Sequence, residues 1–127
     1  MSDPQLKECP DSPNCVSTQT QQKDKKMDPI PFELDPQEVK KVIKDVVEDL
    51  PRTELQSEST HYLHYTFKSK ILGFTDDVEF LIDAEQKLIH FRSASQTGYS
   101  DMGVNKKRMT EIEKGINNAL RNRTSSQ

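Results

Sequence analysis

Tryptophan is absent, glycine occurs four times, and aromatic residues make up 6% of the 127. These shortages rule out a core built on large rings, so the interior must rest on Val, Ile, Leu and a few Phe. Hydrophobic and charged residues each account for 31% of the chain, enough for one domain with polar ends and no more. No apolar run approaches the ~20 residues of a membrane-spanning helix, and no signal-peptide core is present. As it stands, the chain predicts a soluble, cytoplasmic protein; removal of a targeting segment would make the same sequence extracytoplasmic. Basic excess is missing as well. The net charge of −3 argues against a nucleic-acid binder, because phosphate contacts require clustered Lys and Arg.

What is present falls into three parts. Residues 1–32 are rich in Pro, Ser, Gln and Lys and predict an irregular arm carrying a cysteine pair. Residues 33–123 predict a single α+β domain, and 124–127 a disordered tail. Within the domain, Asp35 is a good N-cap, Pro36 suits the first helical position and Glu38 completes a capping-box-like pattern. Val39, Val42, Ile43, Val46, Val47 and Leu50 follow at helical spacing, and Pro51 ends the helix.

Strands are predicted at 53–59, 61–68, 75–83 and 88–95. A four-residue loop, Ala84 to Lys87, joins the last two. That loop sets Asp83 opposite Leu88 and Glu79 opposite Arg92. Val78, Phe80 and Ile82 then share one face with Ser93, Phe91 and Ile89, and a slip of one residue would invert one strand's facing. A second helix follows from Asn105 to about Asn122, with Met109, Ile112, Ile116, Ala119 and Leu120 on one side. The expected architecture is a two-layer sandwich, an antiparallel sheet of three or four strands with the N- and C-terminal helices packed on one face.

Three separated segments in this order carry a resemblance: CPDSPNCVS from Cys9 to Ser17, TDDVEF from Thr75 to Phe80, and RSASQTGYSDMGVNKKR from Arg92 to Arg108. Together they resemble the domain-of-unknown-function 1499 family of bacteria and plastid-bearing organisms, over nearly all of the foldable chain. Gln96 and Lys107 stand where relatives carry Arg. The resemblance implies that the three segments meet in space. It implies no activity, cofactor or catalytic residue.

The strand-to-helix segment holds the best candidate site. Arg92, Ser93, Ser95, Tyr99, Ser100, Asp101, Gly103, Asn105 and Arg108 could line a pocket for a small polar or anionic ligand, with hydroxyls, helix-start N–H groups and guanidinium donors converging. The plainer alternative is a self-satisfied loop in which Asp101 or Asn105 caps the second helix, Tyr99 packs on the sheet and Arg92 pairs with Glu79.

Asp76, Asp77 and Glu79 are acidic, but Asp76 should face away from the other two. Glu79 therefore serves more simply as a cross-strand partner than as a metal ligand, and Asp77 is assigned a structural role beside it. Cys9 and Cys15 have three fates open: a local disulfide, plain thiols, or metal and redox chemistry. His61 and His64 point to opposite faces of a strand and cannot chelate one ion together. No Gly-x-Ser-x-Gly elbow is present, so nothing anchors a catalytic triad. The preferred function is a non-enzymatic binding module without cofactor. The alternative is a protein-interaction or dimerisation domain using the open sheet face, with Ile71, Leu72, Phe74 and Leu81 as its apolar contacts.

Overall fold

In the structure, a computed structural model, residues 5–11, 14–69, 74–96 and 103–125 are described. The first helix, α1 (Pro36–Glu48), starts where its capping residues place it: the Gln37 N–H donates to the Asp35 carboxylate at 3.0 Å, with Pro36 at the first position. Glu38 does not complete a capping box. Its carboxylate accepts from Arg123 at 2.7 Å instead, tying the first helix to the last. Val39, Val42, Ile43 and Val47 are buried along one stripe.

Among the described residues the sheet has six antiparallel strands, not the three or four expected. The segment before residue 32 supplies the difference with β1 (Cys15–Ser17) and β2 (Ile30–Pro31). Both are too short to display an alternating pattern, and both lie along the same neighbour. The remaining strands form a meander: β3 (Thr53–Ser59), β4 (Tyr62–Lys68), β5 (Thr75–Asp83) and β6 (Leu88–Ser95), in spatial order β1-β6-β5-β4-β3, with β2 also on β6. Without β1 and β2, β6 would present an unpaired row of backbone donors and acceptors. Val16, Ile30 and Phe32 consequently enter the main core.

The register between β5 and β6 is the expected one, with Asp83 opposite Leu88 and Glu79 opposite Arg92. Val78, Phe80, Ile82, Ile89 and Phe91 are therefore buried on the inner face, together with Leu63, Tyr65 and Phe67 of β4. The second helix, α2 (Val104–Ser125), adds Met109, Ile112, Ile116 and Leu120 to the same cluster as α1's stripe. Both helices thus cover one face of the sheet. Gly115 lies at their crossing, where an added Cβ would come within 3.0 Å of Val46 Cγ1. The missing side chain lets the helices approach, which offsets its weak helix propensity.

Candidate functional site

The alternation of β6 divides the predicted site between two faces. Ser93 points inward toward α2 and Arg92 points outward, so the two never meet in one pocket. On the inner side the polar groups satisfy one another. Asn105 is 1% exposed. Its Oδ1 accepts from Ser93 Oγ at 2.5 Å and from Arg108 Nη1 at 2.8 Å, while its Nδ2 donates to the Asn14 carbonyl at 3.1 Å. Arg108 Nη2 pairs with Asp76 at 2.8 Å, and its guanidinium lies over the Phe67 ring, 5.0 Å from the centroid. Asn105 is therefore not the helix cap; α2 begins at Val104, and Asn105 faces inward from the first turn. These side chains bolt the start of α2 to β5, β6 and the approach to β1.

The outer face has a different character. Tyr62 donates to Glu79 Oε2 at 2.5 Å, and His64 Nε2 meets Asp77 Oδ1 at 2.8 Å, where Gln96 Nε2 also donates at 3.2 Å. His90 Nδ1 lies 2.8 Å from the Thr18 hydroxyl. Burial holds the His90 imidazole below its ordinary value, outweighing the pull of Asp83. The Tyr62 phenol is pushed far up, first by burial and then by its bond to Glu79. In the middle of this paired surface stands Arg92, whose side chain is 13% exposed. Its one charged contact among the described residues is Nη1 to Glu79 Oε1 at 3.6 Å, too long for a hydrogen bond. Its Nε is buried and has no partner among the described residues.

The N-terminal segment flanks Arg92. Cys9 and Cys15 form a disulfide, which resolves the three fates left open by the sequence. Cys15 pairs with Ala94 and Ser17 with Arg92, so the disulfide and the Ser17 hydroxyl lie on the outer face beside the guanidinium. Glu8 sits nearby. The Gln21 N–H donates to its carboxylate at 2.8 Å and the Cys9 N–H at 2.7 Å. A bond from the Thr20 side chain, then the Gln21 bond, and finally the Arg92 charge hold Glu8 below the usual carboxylate value.

Residues 5–116 match the model of a family described as "Protein of unknown function (DUF1499)". The chain belongs to the DUF1499 family. A search of curated proteins returns no match. The family match covers both faces of this DUF1499 domain, from the segment carrying Glu8 and the disulfide to the helix carrying Arg108.

Tyr99, Ser100 and Asp101 lie outside the described residues, as do Ile71 and Leu72. Gly103 precedes α2 with a φ of +87° and nothing within 4 Å of an added Cβ, so its role is conformational. The Ser95 N–H donates to the Asn14 carbonyl at 3.0 Å, giving it a part in the same clamp as Asn105. Sequence reasoning missed Tyr62, His64 and Thr18 as neighbours of the candidate residues. The alternation of β4 put Tyr62 and His64 on the outer face, but their partners depend on the pairing of β4 with β5. Thr18 gave no signal, because β1 was unseen. Among the described residues no three His, Cys, Asp or Glu side chains are placed to hold a metal ion, and no helix is long and apolar enough to cross a membrane.

Proposed function

We propose that this DUF1499 domain is a non-enzymatic binding module for a polar ligand bearing an oxyanion, held by Arg92 on the outer face of the sheet. A single observation carries the reading: a guanidinium largely removed from water makes no hydrogen bond among the described residues. Buried charges are otherwise paired and hydrogen-bonded, because leaving their donors unmatched costs free energy. Arg presents five donors in a planar fork, which a carboxylate or phosphate matches two oxygens at a time. Glu79, fixed by Tyr62, orients the fork without occupying it. This narrows the expected site to Arg92, because Ser93, Asn105 and Arg108 spend their donors on one another, on the Asn14 carbonyl and on Asp76.

A thermal-shift screen of carboxylate- and phosphate-bearing metabolites, run in parallel on wild type and Arg92→Lys, tests the reading. Lys keeps the charge and loses the fork. Oxyanion-bearing hits should stabilise wild type and lose most of that effect in the variant. Hits that stabilise both proteins equally, or none at all with oxyanion character, would refute it.

A second reading places a protein partner on the same face. It is supported by Leu81, half-buried between Tyr62 and His90 in the sheet register. A solution-scattering mass of one chain across a concentration series would remove its dimeric form.

A further inference from the structure

The geometry points to a zwitterion as the occupant of the Arg92 site: a small molecule carrying an ammonium group beside its carboxylate or phosphate. This inference rests on the binding reading above and narrows it. Two unmatched groups lie on the same face. The first is the Arg92 fork, with its buried Nε. The second is Asp77: its Oδ1 takes His64 Nε2 and Gln96 Nε2, whereas Oδ2 has no partner among the described residues. Asp77 is 28% exposed at its side chain, so it is reachable from solvent.

Arg92 lies opposite Glu79, and Asp77 is two residues further along the same strand. The two unmatched groups are therefore diagonal neighbours, with backbones about 7–8 Å apart. A small molecule laid between them would accept from Arg92 at one end and set its cation against Asp77 at the other.

The surrounding charge excludes the simpler ligand. Glu79 faces Arg92 across the strands and Asp77 is diagonal to it. Two carboxylates of β5 thus face this one guanidinium. Lys68, on the outer face of β4, lies opposite Thr75, diagonal to Asp77 and four residues along β5 from Arg92's partner Glu79. A bare phosphate dianion would meet a net negative field in a partly desolvated place, where opposing charges are poorly screened. An ammonium on the same ligand reverses that balance, because Asp77 becomes attractive. The shared chemistry comes from two sources, free α-amino acids and phosphocholine-type head groups, and the test separates them.

The experiment is an NMR titration of the full, disulfide-bonded chain, following the Arg92 Nε–Hε resonance, assigned by its loss in Arg92→Lys. The probes are inorganic phosphate, acetate, L-alanine and phosphocholine. Saturable shifts with L-alanine or phosphocholine, at concentrations where phosphate and acetate give none, support the inference and identify the source. Asp77→Asn should then weaken the zwitterion about tenfold, the loss of one close charge pair. Acetate or phosphate binding as tightly as either zwitterion overturns the zwitterion and leaves the oxyanion site standing. An Arg92 resonance unmoved by every probe overturns both.

Discussion

Arg108→Ala is expected to be among the most damaging single substitutions in the molecule. The side chains of Arg108 and Asp76 are 16% and 11% exposed, and their charged atoms meet at 2.8 Å. Removing the guanidinium leaves the Asp76 carboxylate with little water and no counter-charge. It also strips a donor from Ser93 and Asn105 and uncovers Phe67. Breaking a buried pair from one side costs about 3–5 kcal/mol, a large part of the ~5–15 kcal/mol that holds a domain together. Arg108→Lys retains the charge but cannot reach Asp76 and Asn105 at once, so about 1–2 kcal/mol should be lost. Arg108→Ala combined with Asp76→Ala should recover part of the cost, because no carboxylate is stranded. The assay is equilibrium urea unfolding, with stability read from the midpoint at constant slope. If Arg108→Ala does not fold, the Lys variant still carries the test. A loss below about 1 kcal/mol for Arg108→Ala, with Asp76→Ala equally mild, would refute the inner clamp.

Replacing Cys9 and Cys15 together by Ala should lower stability by about 2 kcal/mol, the loop-closure value for so short a ring; Ellman titration of the unfolded, unreduced wild type should find no thiol. Burial and the bonds to Glu79 and Glu48 raise the Tyr62 and Tyr65 phenols well above 10. Their stabilising effect is complete below the unfolded value and is lost as pH rises through the folded one, so stability should fall above pH 10. A tyrosinate absorbance titration should find these two un-ionised in the fold at about pH 11, where the unfolded chain has ionised them. His90 acts in the opposite direction. Its folded value is depressed below 6.5, so its contribution is present above that pH and lost as pH falls, a slope that His90→Gln should flatten.

Sequence and structure agree where physical signals are local and strong. The Asp35-Pro36 start and the valine stripe define α1, and the four-residue loop sets the β5–β6 register. That register alone was enough to place Glu79 against Arg92 and to turn Ser93 inward. Two kinds of feature escaped. Strands of three and two residues, Cys15–Ser17 and Ile30–Pro31, carry too little periodicity to be seen, yet they complete the sheet at β6. Partner choice among several acids and bases is a question of distance rather than pattern. Glu38 resembled a capping residue and pairs with Arg123; Asn105 resembled a helix cap and is a buried hub. Most importantly, Arg92 and Arg108 both looked like ligand donors. Three-dimensional placement separates them, since Arg108 uses its donors inside the protein and the Arg92 guanidinium makes no hydrogen bond among the described residues.

That contrast can be measured directly by urea unfolding of Arg92→Met combined with Glu79→Gln, without ligand, against wild type. The amide carbonyl that Glu79→Gln introduces can still accept the Tyr62 hydroxyl, and Met fills space near the Arg stem without a charge to desolvate. A guanidinium kept for binding rather than stability predicts a double variant as stable as wild type or about 1 kcal/mol more so. A loss of about 3 kcal/mol or more, although the double replacement strands no charge, would mean that the pair holds the fold and would contradict the assignment of Arg92 to a ligand.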